Sequence, residues 1–301
     1  MSFAAAVLTF REGLEAALVI AIMLGYLRKV GRGEYGASVW GGALSAAGLA
    51  VGFTLLLQFL GKQFDYPAKG IYEGATSLLA VGMLSYMSFW MSRQARYIKG
   101  SLEQSMNARF LTGASWGLFG VAFLTVAREG VETALFLSAS AFEYSGMATL
   151  LGGIAGLLVA CGVAWAVYVA GVRLNIRTFF KVTSLLLVVF GAALLRYSIH
   201  EFQEVGWLPA IIEHIWNSAS LLPEGSVAGQ ILQGLVGYVS QPSLLEAVSY
   251  FGYLFIVGAL MLWPARKPAP LPTSASTAVA PRSQDGQSEA VAPTSADKAV
   301  V

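Results

Sequence analysis

The sequence predicts an all-α, polytopic membrane protein with seven transmembrane helices, and three observations carry that prediction. The chain has 301 residues, of which 56% are hydrophobic and only 12% charged, whereas a soluble domain carries roughly 25% charged residues. Its apolar runs are about twenty residues long, the length a helix needs to cross a bilayer core of about 30 Å. Its basic residues crowd into alternate connecting segments, the asymmetry that fixes the orientation of membrane proteins.

The apolar runs suit helices at 3–27, 38–60, 70–92, 111–140, 147–171, 179–198 and 246–263. The first starts almost at Met1 and lacks a basic leader region, so it reads as a retained helix and not as a cleaved signal. The first connection holds Arg28, Lys29 and Arg32, the third Arg93, Arg96, Lys99 and Arg109, and the fifth Arg173, Arg177 and Lys181. Arg266 and Lys267 follow the last run, while the intervening connections offer only Lys62 and Lys69. The expectation is an N-terminus outside and a C-terminus in the cytoplasm. The outer side is acidic, with Glu143 after the fourth run and Glu201, Glu204, Glu213 and Glu224 in the long segment 199–245. In that segment Ile211-Ile212 and the stretch 226–239 suit short interfacial or re-entrant helices, interrupted by Pro209, Pro223 and Pro242. Residues 264–301, rich in Ala, Pro, Ser, Thr and Val, read as a disordered cytoplasmic tail after a membrane domain at 1–263.

An internal repeat is visible. Leu8-Thr9 and Leu124-Thr125 precede two related charged motifs, and Ala17-Leu18 and Ala134-Leu135 follow them. Thr76-Ser77-Leu78-Leu79 in the third run matches Thr183-Ser184-Leu185-Leu186 in the sixth. Residues 1–92 and 111–198 therefore read as two copies of a three-helix unit. Three is odd, so the second copy enters the membrane inverted, which is a transporter architecture. Small-residue pairs at Gly48/Gly52, Gly113/Gly117 and Gly152/Gly156 suit close helix packing. Cys161, the one cysteine, lies in an apolar run and suggests packing, not disulfide chemistry.

The two motifs are Arg11-Glu12-Gly13-Leu14-Glu15 and Arg128-Glu129-Gly130-Val131-Glu132. A charge at bilayer depth costs at least about 2.5 kcal/mol, so such residues are seldom idle. On a helix, Arg and the two Glu of each motif point at about 0°, 100° and 40°, one sector of the surface, while the Gly leaves room for a neighbour. Each motif sits about ten residues, or about 15 Å, from its outer helix end, so opposed helices bring four carboxylates to a similar depth. Ion pairing between the repeats would need one acid per Arg, and the second Glu of each motif is left over. Two Arg and four Glu leave a formal charge that invites a hard, oxygen-seeking cation. Without Cys, His or Met in the motif, Cu(I) is disfavoured and zinc weakened; iron in either valence and manganese remain.

At these residues the chain resembles the oxidase-dependent iron permeases, which comprise fungal high-affinity iron permeases and bacterial EfeU-type iron transporters. The family's signature is R-E-x-x-E in helices one and four, and the resemblance runs over roughly 1–263. His200-Glu201-Phe202-Gln203-Glu204-Val205-Gly206 and Leu221-Leu222-Pro223-Glu224 also look like the bacterial branch. The resemblance implies iron as transported substrate, no cofactor, and import across a bacterial inner membrane. It implies Glu12, Glu15, Glu129 and Glu132 as iron-handling residues with Arg11 and Arg128 in support, and extracytoplasmic iron-oxidising or iron-delivering partners. Lead, which some relatives are linked to, and manganese are the alternative cargoes.

Further candidates lie near the outer end. Glu73, beside Lys69, suits a relay ligand or an ordinary interfacial acid. His200, Glu201 and Glu204 suit metal collection or a solvated helix end, and Arg196 suits pairing with an acid there. Glu213, His214 and Glu224 read as surface residues, and Trp90, Trp207, Trp216 and Trp263 as interfacial belts in membrane lipid. A membrane metalloenzyme is disfavoured: His200-Glu201-x-x-Glu204 lacks the second His of H-E-x-x-H, and there is no nucleotide-binding G-x-x-x-x-G-K-(S/T). A net charge of +2 without basic patches interleaved with aromatics argues against nucleic acid.

Overall fold

A computed structural model of the protein describes residues 2–94, 114–170 and 176–262. The helices are α1 (Phe3–Lys29), a 3-10 turn at Gly33–Tyr35, α2 (Gly36–Gln63), α3 (Ala68–Gln94), α4 (Ala114–Glu143), α5 (Gly146–Ala170), α6 (Ile176–Glu204), α7 (Val227–Val236) and α8 (Leu244–Leu262). No strand occurs among the described residues. Arg96, Lys99, Arg109, Gly113, Arg173, Trp263, Arg266, Lys267 and the tail lie outside the described residues, as does the side chain of Trp90.

Local chemistry sets the ends. Ser2 caps α1 by accepting from Ala5 N at 3.3 Å, and its own N–H donates to Ala148 O at 2.8 Å, which ties the chain start to the first turn of α5. Arg28 and Lys29 close the last turn of α1, where the helix dipole favours cations. Helix α6 runs six residues past the expected end, so His200, Glu201 and Glu204 sit on its final turns. Gly206, at φ +82°, stops it with its N–H on Gln203 O at 3.0 Å. The expected stretch 226–239 contains the ten-residue α7, capped by Ser226 and ended by Gly237 at φ +68°. Ile211-Ile212 is not helical, contrary to expectation: Leu244 N donates to Ile212 O at 3.0 Å, so this stretch serves as a backbone brace for the start of α8.

Packing follows an exchange pattern. Helix α1 packs principally on α5, α2 on α4 and α3 on α6; α8 lies against α6, and α1 meets α4 near the centre. Glycines permit the close approaches. A Cβ on Gly156 would overlap the Ala6 carbonyl, and one on Gly42 would overlap the Phe119 carbonyl. Gly48 and Gly52, expected to pack similarly, face open space, and Cys161 is exposed on the outer face of α5 where an interior position was expected. The matching Thr-Ser pairs both lie inside: Thr76, Ser77, Thr183 and Ser184 are buried where α3 meets α6.

Four helical segments are long and apolar enough to cross a membrane: Gly33–Gln63, Gly146–Ala166, Val182–Glu204 and Leu244–Met261. Helix α2 turns Leu44, Val51, Leu55 and Phe59 outward, and α8 turns out Phe251 and Phe255, the surface expected of helices whose solvent is lipid. The charge-bearing α1, α3 and α4 form the interior with α6. Among the described residues, buried apolar residues make three clusters, the smallest around Ala43, Ala46 and Val126, and the two larger ones flank the motifs. One joins Ala4, Leu8, Leu84, Phe136, Phe190 and Leu194; the other joins Val19, Met23, Leu27, Val39, Leu118 and Ala122. Along both α1 and α4 the charged motif falls between them.

Candidate metal centre

The motif glycines set the geometry. Gly13 faces Ala160 and Leu157 of α5, where an added Cβ would stand 3.1 and 3.2 Å from side-chain carbons. Gly130 faces Ala50 of α2, where a Cβ would come within 2.6 Å. Each glycine therefore seats a neighbouring helix. With that side occupied, the charged side chains turn to the α1–α4 contact.

Arg11 is fully buried, and its Nε donates to Glu15 Oε1 at 3.0 Å while Nη1 lies 3.5 Å from Glu12 Oε1. Its charge acts on Glu129 and Glu132 across the helix contact as well. Arg128 repeats the first pairing on α4, Nε to Glu132 Oε1 at 3.2 Å, but its side chain keeps 36% of its surface accessible. Its Nη2 also meets the Met87 sulfur of α3. The two motifs are thus alike in pairing and unlike in burial.

Glu12, Glu15 and Glu129 each place a carboxylate oxygen within 4.8 Å of the others, and all three are buried. Glu132 lies outside this trio; with Glu12 and Met83 it lines an adjoining narrow cavity of about 10 Å³, room for one water-sized sphere. Glu129 makes no ion pair among the described residues, and Glu12 Oε2, Glu129 Oε2 and both Arg11 Nη atoms are buried without a hydrogen-bond partner. Bare buried carboxylate oxygens are costly, and it is these oxygens of Glu12 and Glu129, not the Arg11 donors, that fit a site receiving a cation. An all-carboxylate trio selects hard cations.

At the C-terminal end of α6 a second cluster appears. Arg196 bridges Glu143 of α4 at 2.9 Å and Glu246 of α8 at 3.4 Å. His200 engages Glu246 through Nδ1 at 3.0 Å and Glu204 through Nε2 at 3.3 Å. Glu143 is therefore buried and paired, not part of an acidic surface. Glu246 has no motif around it, and sequence reasoning passed over it. Tyr197 donates to Glu73 at 2.9 Å, and Lys69 lies 3.8 Å from the same carboxylate. Glu213 and His214 are exposed; Glu224 accepts from Ser240 N at 2.6 Å and Oγ at 2.7 Å, bracing the loop. Trp207 and Trp216 are exposed, as belt residues are.

Arg196→Met should leave the buried Glu143 carboxylate without its counter-charge. The expected loss is roughly 3–5 kcal/mol, read as a lower melting temperature in detergent, and adding Glu143→Gln should restore most of it. An unchanged melting temperature in the single variant would show the cluster to be inert.

Comparison with known proteins points the same way as the geometry. Three relatives are each named Ferrous iron permease EfeU. That of Yersinia pseudotuberculosis is 32% identical over 272 residues, covering 89% of this chain and 95% of the relative. That of Yersinia pestis is 33% identical over 264 residues, covering 86% and 93%. That of Shigella sonnei is 34% identical over 246 residues, covering 81% and 89%. No solved structure matches the chain. The description that matches residues 2–267 is the Iron permease FTR1 family, and with relatives of this identity and coverage the chain belongs to that family.

Proposed function

We propose that this protein imports iron ions across a bacterial inner membrane, and that Glu12, Glu15, Glu129 and Glu132 receive the ion, with Arg11 and Arg128 balancing their charge. The observation that carries this reading is the buried trio of carboxylates within 4.8 Å, holding oxygens that no protein donor satisfies. The relatives' name, ferrous iron permease, favours the divalent ion as cargo. Seven helices, α1 to α6 and α8, cross the membrane, with the N-terminus outside as the loop charges require. Helices α1–α3 and α4–α6 act as inverted repeats. The packing supports this, because exchanging α1 with α4, α2 with α5 and α3 with α6 turns the α1–α5 contact into the α4–α2 contact. Gly13 and Gly130 are equivalent under the same exchange.

At the outer end Glu73, Glu201, Glu204 and His200 form an acidic approach, where partner proteins that oxidise or deliver iron would release it. An inside-negative potential contributes about 2.3 kcal/mol per charge per 100 mV to cation entry, so import needs no nucleotide. The test is uptake of radiolabelled iron into proteoliposomes holding the purified protein, with reductant or with oxidant, under an imposed potential. Uptake that grows with inside-negative potential is expected. No iron uptake by correctly inserted protein, or preferential uptake of manganese or lead, would overturn the assignment.

A further inference from the structure

The cavity beside the carboxylate trio is not lined by oxygen alone. Helix α3 contributes Met83 to its wall, which it shares with Glu12 of α1 and Glu132 of α4. The rest of its wall is hydrocarbon, Leu8, Leu84, Leu135 and Phe136 among it. Met83 is thus the one lining residue besides the two acids that carries a donor atom. Packing does not require sulfur there, since leucine fills such walls at nearly the same volume. One turn along, Met87 is buried and spends its sulfur on the Arg128 guanidinium, so the two methionines of this helix face have different work.

The geometry points to Met83 as a specificity-determining residue, a thioether that the cation meets in the space between Glu12 and Glu132. This rests on the permease reading and adds to it. Carboxylates alone discriminate weakly among divalent ions of similar size, because all of them are satisfied by hard oxygen. A thioether is soft and polarizable, and it favours ferrous iron over manganous and magnesium ions in the order set by ligand softness. The cavity is also small enough that an ion within it has given up most of its water. The sulfur then replaces part of a lost hydration shell, and its preference is felt directly. The motif composition, read without Met83, had pointed to an oxygen-only site. The helix contact between α3, α1 and α4 adds the sulfur.

The experiment is competition between ferrous and manganous ions for uptake into proteoliposomes under reductant, comparing wild type with Met83→Leu. The manganese needed to halve iron uptake should fall by roughly tenfold in Met83→Leu, and Met87→Leu should leave it at the wild-type value. Cadmium binding to the detergent-solubilised protein, followed by calorimetry, gives a readout independent of transport. Its affinity should weaken several-fold in Met83→Leu, with manganese affinity unchanged. Should Met83→Leu fail to accumulate, Met83→Gln takes its place and must show the same loss, since it substitutes hard donors at similar length. Wild-type competition and wild-type cadmium affinity in the variant would overturn the role of Met83 while leaving iron import standing. Absence of iron uptake by the wild type would instead remove the permease reading beneath it.

Discussion

Glu129→Gln is expected to lower iron uptake by roughly 10–100-fold, while the protein still inserts and melts near the wild-type temperature. Three features make this the most telling substitution. Glu129 belongs to the carboxylate trio, so its oxygen is within reach of any ion that Glu12 and Glu15 hold. It makes no ion pair among the described residues, so removing its charge breaks no salt bridge. Glutamine keeps the shape, so any loss is one of charge and oxygen donors, not of packing. The check is initial-rate uptake normalised to inserted protein. A rate within twofold of wild type would remove the trio from the transport path.

The second large effect is on stability, and it separates the two arginines. Arg11→Met should destabilise the protein by roughly 3–5 kcal/mol, because Glu12 and Glu15 would be left as buried carboxylates with no cation beside them. Arg128→Met should cost well under half as much. The Arg128 side chain keeps about a third of its surface accessible, and the charge it leaves on Glu132 can draw on screening that Arg11's partners lack. Thermal unfolding in detergent, monitored by a helix signal, measures both. Equal losses would mean that the two motifs stabilise the fold symmetrically. The sequence offers no hint of the difference, since the motifs differ there only by Leu14 against Val131.

The helices were legible because lipid imposes a length, and seven apolar runs of the required length leave little freedom. The meeting of the motifs was legible for a related reason: charge in lipid must find charge, and the repeat predicted both motifs at one depth. What the sequence hid was contact chemistry. Met83 sits in an unremarked apolar stretch and gains meaning only from the helices it faces. Glu246 opens the last helix with no signature around it, yet it ties Arg196 and His200 together. The end of α6 was placed six residues early because His200, Glu201 and Glu204 read as loop by polarity, although they continue the helix beyond its apolar part. Ile211-Ile212 looked helical by composition, but its backbone is committed to α8 instead.

The position of the motifs between two apolar clusters has a mechanical consequence. Under the proposed import the charged layer would work as an airlock, with the cluster of Leu8, Leu84 and Phe136 closing one side and that of Met23, Leu27 and Leu118 the other. A hydrated ion would then pass neither side without helix movement, and α1 and α4 would shift relative to their partners twice per ion, once to admit it and once to let it go. Throughput would then be paced by helix rearrangement, on the microsecond-to-millisecond scale.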